Sequence, residues 1–248
     1  MTIRISIIDY SNTIPFVYGL KKSAYISTHS EFYYHYPSQG VQRLQDNTVD
    51  ISIVPAAAIS EISNSHIISD FCIGAIQQVA SVKLFSKIPI QHVSHIVLDY
   101  QSRTSNLLTK VLAQEFWNIQ PMYTIGEAGY ETDSTIESKI IIGDRAMLQY
   151  PDYPYSYDLA YEWYQAFSLP FVFACWVANK PLPPDYMQEF NSALRFGVEH
   201  IADSISQSNK RVSFDLHQYL QHNIDYAFDT TKQQAMQLFI EKIKSLRQ

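Results

Sequence analysis

Glycine is scarce in this chain, with seven in 248 residues. The sequence holds no GxGxxG, no Walker loop, no GxSxG elbow and no CxxC. A phosphate-wrapping loop has little material here, so a nucleotide cofactor is not expected. Cysteine is nearly absent. Cys72 and Cys175 each sit in an apolar stretch, DFCIGAI and FVFACWVA, and buried free thiols are expected of them rather than a disulfide. His92 with His95, and His217 with His222, match no metal-ligand spacing, so no metal is expected. Basic residues are few and scattered. Eighteen Lys plus Arg against 24 Asp plus Glu give a net charge of −6, which argues against nucleic acid, because phosphate neutralisation supplies most of that affinity. No run of apolar residues is long enough to span a membrane. The opening MTIRISIIDY carries one Arg and an alternating apolar run without the pattern of an export signal, so a cytoplasmic location is expected.

What is present is apolar: 46% hydrophobic residues with only 17% charged, the composition of a globular chain with a sizeable core. The length allows one large domain or two smaller lobes. Residues 3–8 read as a buried strand, Ser11-Asn12-Thr13 as a polar turn, and Pro15 with the apolar residues after it as a helix. An apolar-aromatic run at 31–36 precedes a helix expected over 41–46. Residues 50–55 read as a strand and 56–62 as helix. Residues 75–85 read as one long strand and 92–99 as another, followed by a helix carrying Leu107, Leu108, Val111, Leu112 and Phe116 at a 3.6-residue period. The run at 139–143 is expected to lead into helix over 144–149. Pro151 and Pro154 argue against regular structure in 150–157 and for a surface loop. Residues 171–178 form another strand, and amphipathic helix dominates after Pro184. Tyr18, Tyr25, Tyr33, Tyr34 and Tyr36 are expected in packing roles.

Strands alternating with helices predict an α/β fold with a parallel sheet. Two lobes are expected, residues 1–86 plus 178–248 and residues 87–177, with two hinge crossings and a cleft between them.

Three strand-to-helix junctions carry the chemistry. In LDYQSRTS, residues 98–105, hydroxyl side chains meet a helix N-terminus, whose amides and dipole suit a carboxylate or phosphate. On pattern alone Ser102 or Thr104 is equally an N-cap and Arg103 a surface residue. Asn12, after the first strand, lies at the sheet edge where α/β proteins place ligands, or is a turn residue. In IGDR, Gly143 permits close backbone approach, and Asp144 can cap the helix.

Taken in order, ISIIDYSNTIPFVYGL, VDISIVPA, VASVKLFS, LDYQSRTS, IGDRA and YDLAYEWYQAFSLPFVFACW resemble the chorismate dehydratases of the futalosine route to menaquinone. That family has a two-lobed type II periplasmic-binding-protein-like fold. The resemblance covers most of residues 3–180 and is generic beyond them; Gln101 and the loop at 150–157 depart from it.

The resemblance implies a cytoplasmic hydro-lyase that takes chorismate to 3-[(1-carboxyvinyl)oxy]benzoate and water with no cofactor. It implies a small-molecule substrate and neither nucleic acid nor membrane as partner. Carried over position by position, Asn12 and Ser81 are the expected catalytic residues. Ser102, Arg103, Thr104, Ser105, Gly143 and Asp144 are the expected substrate-binding ones. No His or Glu in the matching motifs stands out as a base. Two alternatives remain open: a solute-binding protein without activity, and the sister enzyme that makes 1,4-dihydroxy-6-naphthoate.

Overall fold

A computed structural model describes residues 2–35 and 37–246; Tyr36 falls outside them. In chain order the first elements are β1 (Ile3–Ile8), α1 (Ile14–Lys22), α2 (Ala24–His29), β2 (Ser30–His35), α3 (Pro37–Gln45), β3 (Ile51–Pro55) and β4 (His66–Ala75). Next come β5 (Val82–Ser86), β6 (His95–Leu98), α4 (Arg103–Glu115), β7 (Met122–Ile125), β8 (Ser138–Ile142), β9 (Tyr155–Asp158) and α5 (Leu159–Phe167). The chain ends with β10 (Phe171–Ala178), α6 (Pro184–Glu199), α7 (Ile201–Gln207), α8 (Leu216–Gln218), β11 (Asp225–Ala227) and α9 (Thr230–Ser245).

The fold is α/β and divides into two compact units. Unit 1 comprises Met1–Gly74 and Val172–Asp229; unit 2 comprises Ala75–Phe171 and Thr230–Gln248. The boundaries differ from those expected. They fall at the end of β4 and the start of β10 rather than after residues 86 and 177, and the chain passes between units a third time before α9. Packing explains that third passage. Phe239 of α9 lies edge-on to Trp163 and Phe171, 5.9 and 4.9 Å between ring centroids, and Lys242 pairs with Glu115 at the end of α4.

Unit 1 holds a sheet in the order β11-β4-β10-β3-β1-β2. β1 runs parallel to β2 and β3, with Ile5 beside Phe32 and Ile51. β10 is antiparallel to β3, and β11 to β4. Every residue of β3 and β10 is buried, as a central strand covered on both faces requires. Helix α1 starts with Pro15 in its first turn, where a missing N–H costs nothing. It packs on α6 through two glycines: a Cβ on Gly19 would meet the Ala193 carbonyl oxygen at 1.9 Å, and one on Gly197 would meet that of Pro15 at 1.9 Å. Phe16 anchors the core against Phe71, Trp176 and Tyr226.

Unit 2 holds the order β7-β6-β8-β5-β9. β6 is parallel to β7 and β8, whereas β5 is antiparallel to β8 and β9. Both sheets are therefore mixed, not parallel throughout as the alternation of elements predicts.

Several local expectations are also revised. The stretch 75–85 is the end of β4 and, after a break, β5; the break includes Ala80 at a left-handed φ of 63°. α3 begins at Pro37 rather than at residue 41. Residues 56–61 and 143–147 form 3₁₀ rather than α turns. Residues 155–158, expected as loop, pair with β5 as an edge strand, and Tyr153 beside them is buried. Tyr25 and Tyr34 are exposed instead of packed inside. Cys72 and Cys175 are both buried and free, as expected. No helix among the described residues is long and apolar enough to cross a membrane.

Candidate functional site

At the carboxyl end of β1 the chain turns sharply. The Thr13 hydroxyl donates to the carbonyls of Ile8 and Tyr10 at 2.7 and 2.8 Å, so Thr13 is the residue that closes the turn. Asn12 stands at its apex, half-buried, and its carbonyl accepts from the buried Tyr226 hydroxyl at 3.0 Å. That bond fixes the backbone and leaves the position of the amide to the side chain. A cavity of about 740 Å³ opens beside this turn, lined among others by Asp9, Tyr10, Lys21, Lys22 and Lys210, within the size range of small-molecule sites. Asn12 is not among its lining residues. Lys210 is paired with Asp9, while Lys21 and Lys22 lie over the rings of Tyr34 and Tyr18.

In unit 2 three other turns meet at one edge of the sheet. β6 and β8 are parallel neighbours with Val97 opposite Lys139, so residues 99–105 and 143–145 leave the sheet side by side. β5 runs the opposite way with Val82 opposite Ile142, which brings its start to the same edge. The Gly143 N–H donates to the Ser81 carbonyl at 2.8 Å, and Gly143 sits at φ 66°, a conformation that suits glycine. Ser81, Ser102, Thr104, Ser105 and Gly143 are all buried, Asp144 is half-buried and Arg103 is exposed.

Ser102 is the N-cap of α4: its oxygen accepts from the Ser105 amide at 3.2 Å, and its hydroxyl donates to Ser105 Oγ at 2.7 Å. The capping role is thus filled. The structure places Ser81, Ser102, Thr104, Ser105, Gly143 and Asp144 together in unit 2, with Arg103 turned outward beside them. Asn12 belongs to unit 1.

Beneath these turns lies a buried polar network that the sequence reading missed. Asp99 is fully buried. Its Oδ1 accepts from the Gln101 amide at 2.7 Å, and its Oδ2 accepts from the Tyr130 hydroxyl at 2.7 Å and from Arg145 Nη2 at 2.9 Å. Arg145 Nη2 also donates to Gln101 Oε1 at 3.2 Å, and Nη1 lies 3.1 Å from Glu131 Oε2. Asn106 closes the loop from the helix side, donating to the Asp99 carbonyl and accepting from its amide. Burial pushes the Asp99 carboxyl above its usual range, against the opposing pull of Arg145. Burial followed by the Asp99 charge holds the Tyr130 hydroxyl well above its own. A second carboxylate, Asp158, caps α5 and reaches back to the amides of Val79 and Ala80 at 3.2 and 2.7 Å, fixing the approach to Ser81. Burial raises its carboxyl too, in spite of those backbone donors.

Signals for this network were present but incomplete. Asp99 and Arg145 each follow a strand within one of the motifs, with opposite charges, but only the β6–β8 pairing makes them neighbours. Among the described residues no group of three or more His, Cys, Asp or Glu side chains is placed to hold a metal.

Comparison with known proteins agrees with the fold. Protein AF1704 from Archaeoglobus fulgidus superimposes with a TM-score of 0.74 at 14% identity, over 99% of this chain and 98% of that one. The Candida albicans CA3427 product, described as having the generic periplasmic binding protein fold, does so at 0.64 and 12%, over 100% and 92%. At the sequence level, a chorismate dehydratase of Thermus thermophilus is 26% identical over 94% of this chain and 92% of its own. One from Campylobacter jejuni is also 26% identical, over 96% of each. A family model described as menaquinone biosynthesis matches residues 3–245, nearly the whole length, and the chain belongs to that menaquinone biosynthesis family.

Proposed function

We propose that this protein is a chorismate dehydratase acting in the futalosine route. The observation that carries the reading is the near full-length match to the family together with two relatives of that name. The chemistry asks for little beyond what the residues offer. In chorismate the ring proton to be lost sits on the ether-bearing carbon, vinylogous to the ring carboxylate. As that C–H bond breaks, its electron pair becomes the new ring double bond and the neighbouring C–O bond breaks to release hydroxide, which leaves as water with the proton. Charge developing on the way delocalises toward the carboxylate, and aromatisation drives the step, so the proposal includes no cofactor.

In this reading the α4 N-terminus with Ser102, Thr104 and Ser105 grips a substrate carboxylate, using backbone amides and the positive end of the helix dipole. Gly143 and Asp144 line the same corner, Ser81 contacts the ring, and Arg103 adds positive charge at the rim. Asn12 orients or polarises the substrate as an oxyanion-type donor. The substrate's own enolpyruvyl carboxylate, held near by the bound conformer, takes the ring proton and passes it to the departing hydroxyl, which leaves as water. A cytoplasmic site of action is part of the proposal, in keeping with two cysteines left as thiols. Mixing purified protein with chorismate and no additive is expected to produce a new benzenoid absorbance. An unchanged spectrum would refute the assignment and favour a solute-binding role.

A further inference from the structure

We infer that Arg145 is the positioning residue of the anion-binding corner, holding the 99–101 turn so that the N-terminus of α4 meets a substrate carboxylate in a fixed geometry. This rests on the function proposed above. Arg145 follows Gly143 by two residues, and Gly143 is tied to Ser81. Its guanidinium crosses to the neighbouring strand end and takes hold of Asp99 and Gln101, at 2.9 and 3.2 Å. Ser102, the cap of α4, is the next residue. The Arg145 side chain therefore ties two turns of the corner together, and the Gly143 amide ties the third to them.

The guanidinium is not itself the anion receptor. Two carboxylates, Asp99 and Glu131, lie within 2.9 and 3.1 Å of it, and the ring of Tyr100 lies 5.5 Å from its central carbon. Both carboxylates already face its charge. Whatever it contributes to holding an anion runs through the turn it locks. The planar fork is what the arrangement uses: Nη2 serves Asp99 and Gln101 while Nη1 faces Glu131. A lysine ammonium is a point charge on a flexible stem and does not reproduce that spread.

A carboxylate gripped equally before and during reaction contributes uniform binding, which shows in KM and not in kcat. Arg145→Lys is expected to weaken chorismate binding by about tenfold and raise KM alike, with kcat within about threefold of the parent. Gln101→Met leaves the ion pair in place and removes the second acceptor, together with the bond that Gln101 Nε2 donates to the Tyr100 hydroxyl at 2.9 Å. It is expected to weaken binding by about threefold without lowering the unfolding temperature, and it carries the test if Arg145→Lys does not fold.

The measurements are the chorismate Kd by titration calorimetry, steady-state kinetics and thermal unfolding for the parent and both variants. Parent-like Kd in the folded variants, even with a lowered unfolding temperature, would make Arg145 a purely structural residue and overturn the inference. A parent that binds chorismate without converting it would refute the dehydratase reading alone, since the Kd comparison still decides the role of Arg145. A parent that does not bind chorismate would refute both.

Discussion

Asn12 and Asp50 show how differently single residues contribute. Asn12 sits on a turn whose backbone is fixed by Thr13 and Tyr226, so its amide can be removed without disturbing the turn. Asn12→Ala is expected to lower turnover by about 10²–10³-fold, the loss of one oxyanion-type donor, with an unchanged unfolding temperature; retention of full turnover would contradict its role. Asp50 is purely structural. It accepts from the Arg4 amide at 2.9 Å and from its guanidinium, and pairs with Lys180 at 2.7 Å, tying the start of β3 to β1. Burial pushes its carboxyl up, but the Arg4 and Lys180 bonds outweigh this and bring it down to about 2.

A folded pKa below the unfolded one adds stability that is present above the unfolded value and disappears as pH falls through the folded one. Asp50→Asn is therefore expected to cost roughly 2 kcal/mol near neutral pH, a difference that shrinks from about pH 5 and is gone by about pH 1. Denaturant melts of both proteins across that range measure it, and a gap independent of pH would contradict the assignment. At this scale the turns that hold Asn12, Ser102 and Gly143 were legible because each marks a junction between strand and helix. The Asp99–Arg145 pair spans 46 positions and was not, since its partners meet only through strand pairing.

Among elements, the clearest were those whose local pattern and burial agree. β1 is an alternating apolar run and β10 a continuous one, and both form where expected. β9 is the counterexample: YSYD comes directly after Pro151 and Pro154, which read as loop, yet pairing with β5 satisfies its backbone and overrides local propensity. β4 was missed but for Ala75, because Ser69 and Asp70 interrupt its apolar run; Asn191 of α6 accepts from both and supports the strand from outside the sheet. The contact of α1 with α6 was invisible as well, because a glycine in a helix pattern reads as a weakness until a second backbone is found against it. Gly197→Ala would drive a methyl into the Pro15 carbonyl. Separation of the two helices to relieve this is expected to cost about 1–3 kcal/mol, read as a lower denaturant midpoint; a midpoint unchanged from the parent would mean that the helices are not in such close contact.

For the molecule as a whole, α/β character and division into two units followed from the order of elements, but the path between units did not. Amphipathic character in α9 says that the helix packs and not against what; Phe239 finds its place beside Trp163 and Phe171, and the chain crosses once more to put it there. Mixed sheets have the same origin, since β10 and β5 run against their neighbours. The central claim is that this fold grips chorismate and lets its own drive toward aromaticity expel water. The most direct test is the mass of the product after incubating purified protein with chorismate alone: a species lighter by one water is expected, and unchanged substrate, or loss of pyruvate instead, would contradict it.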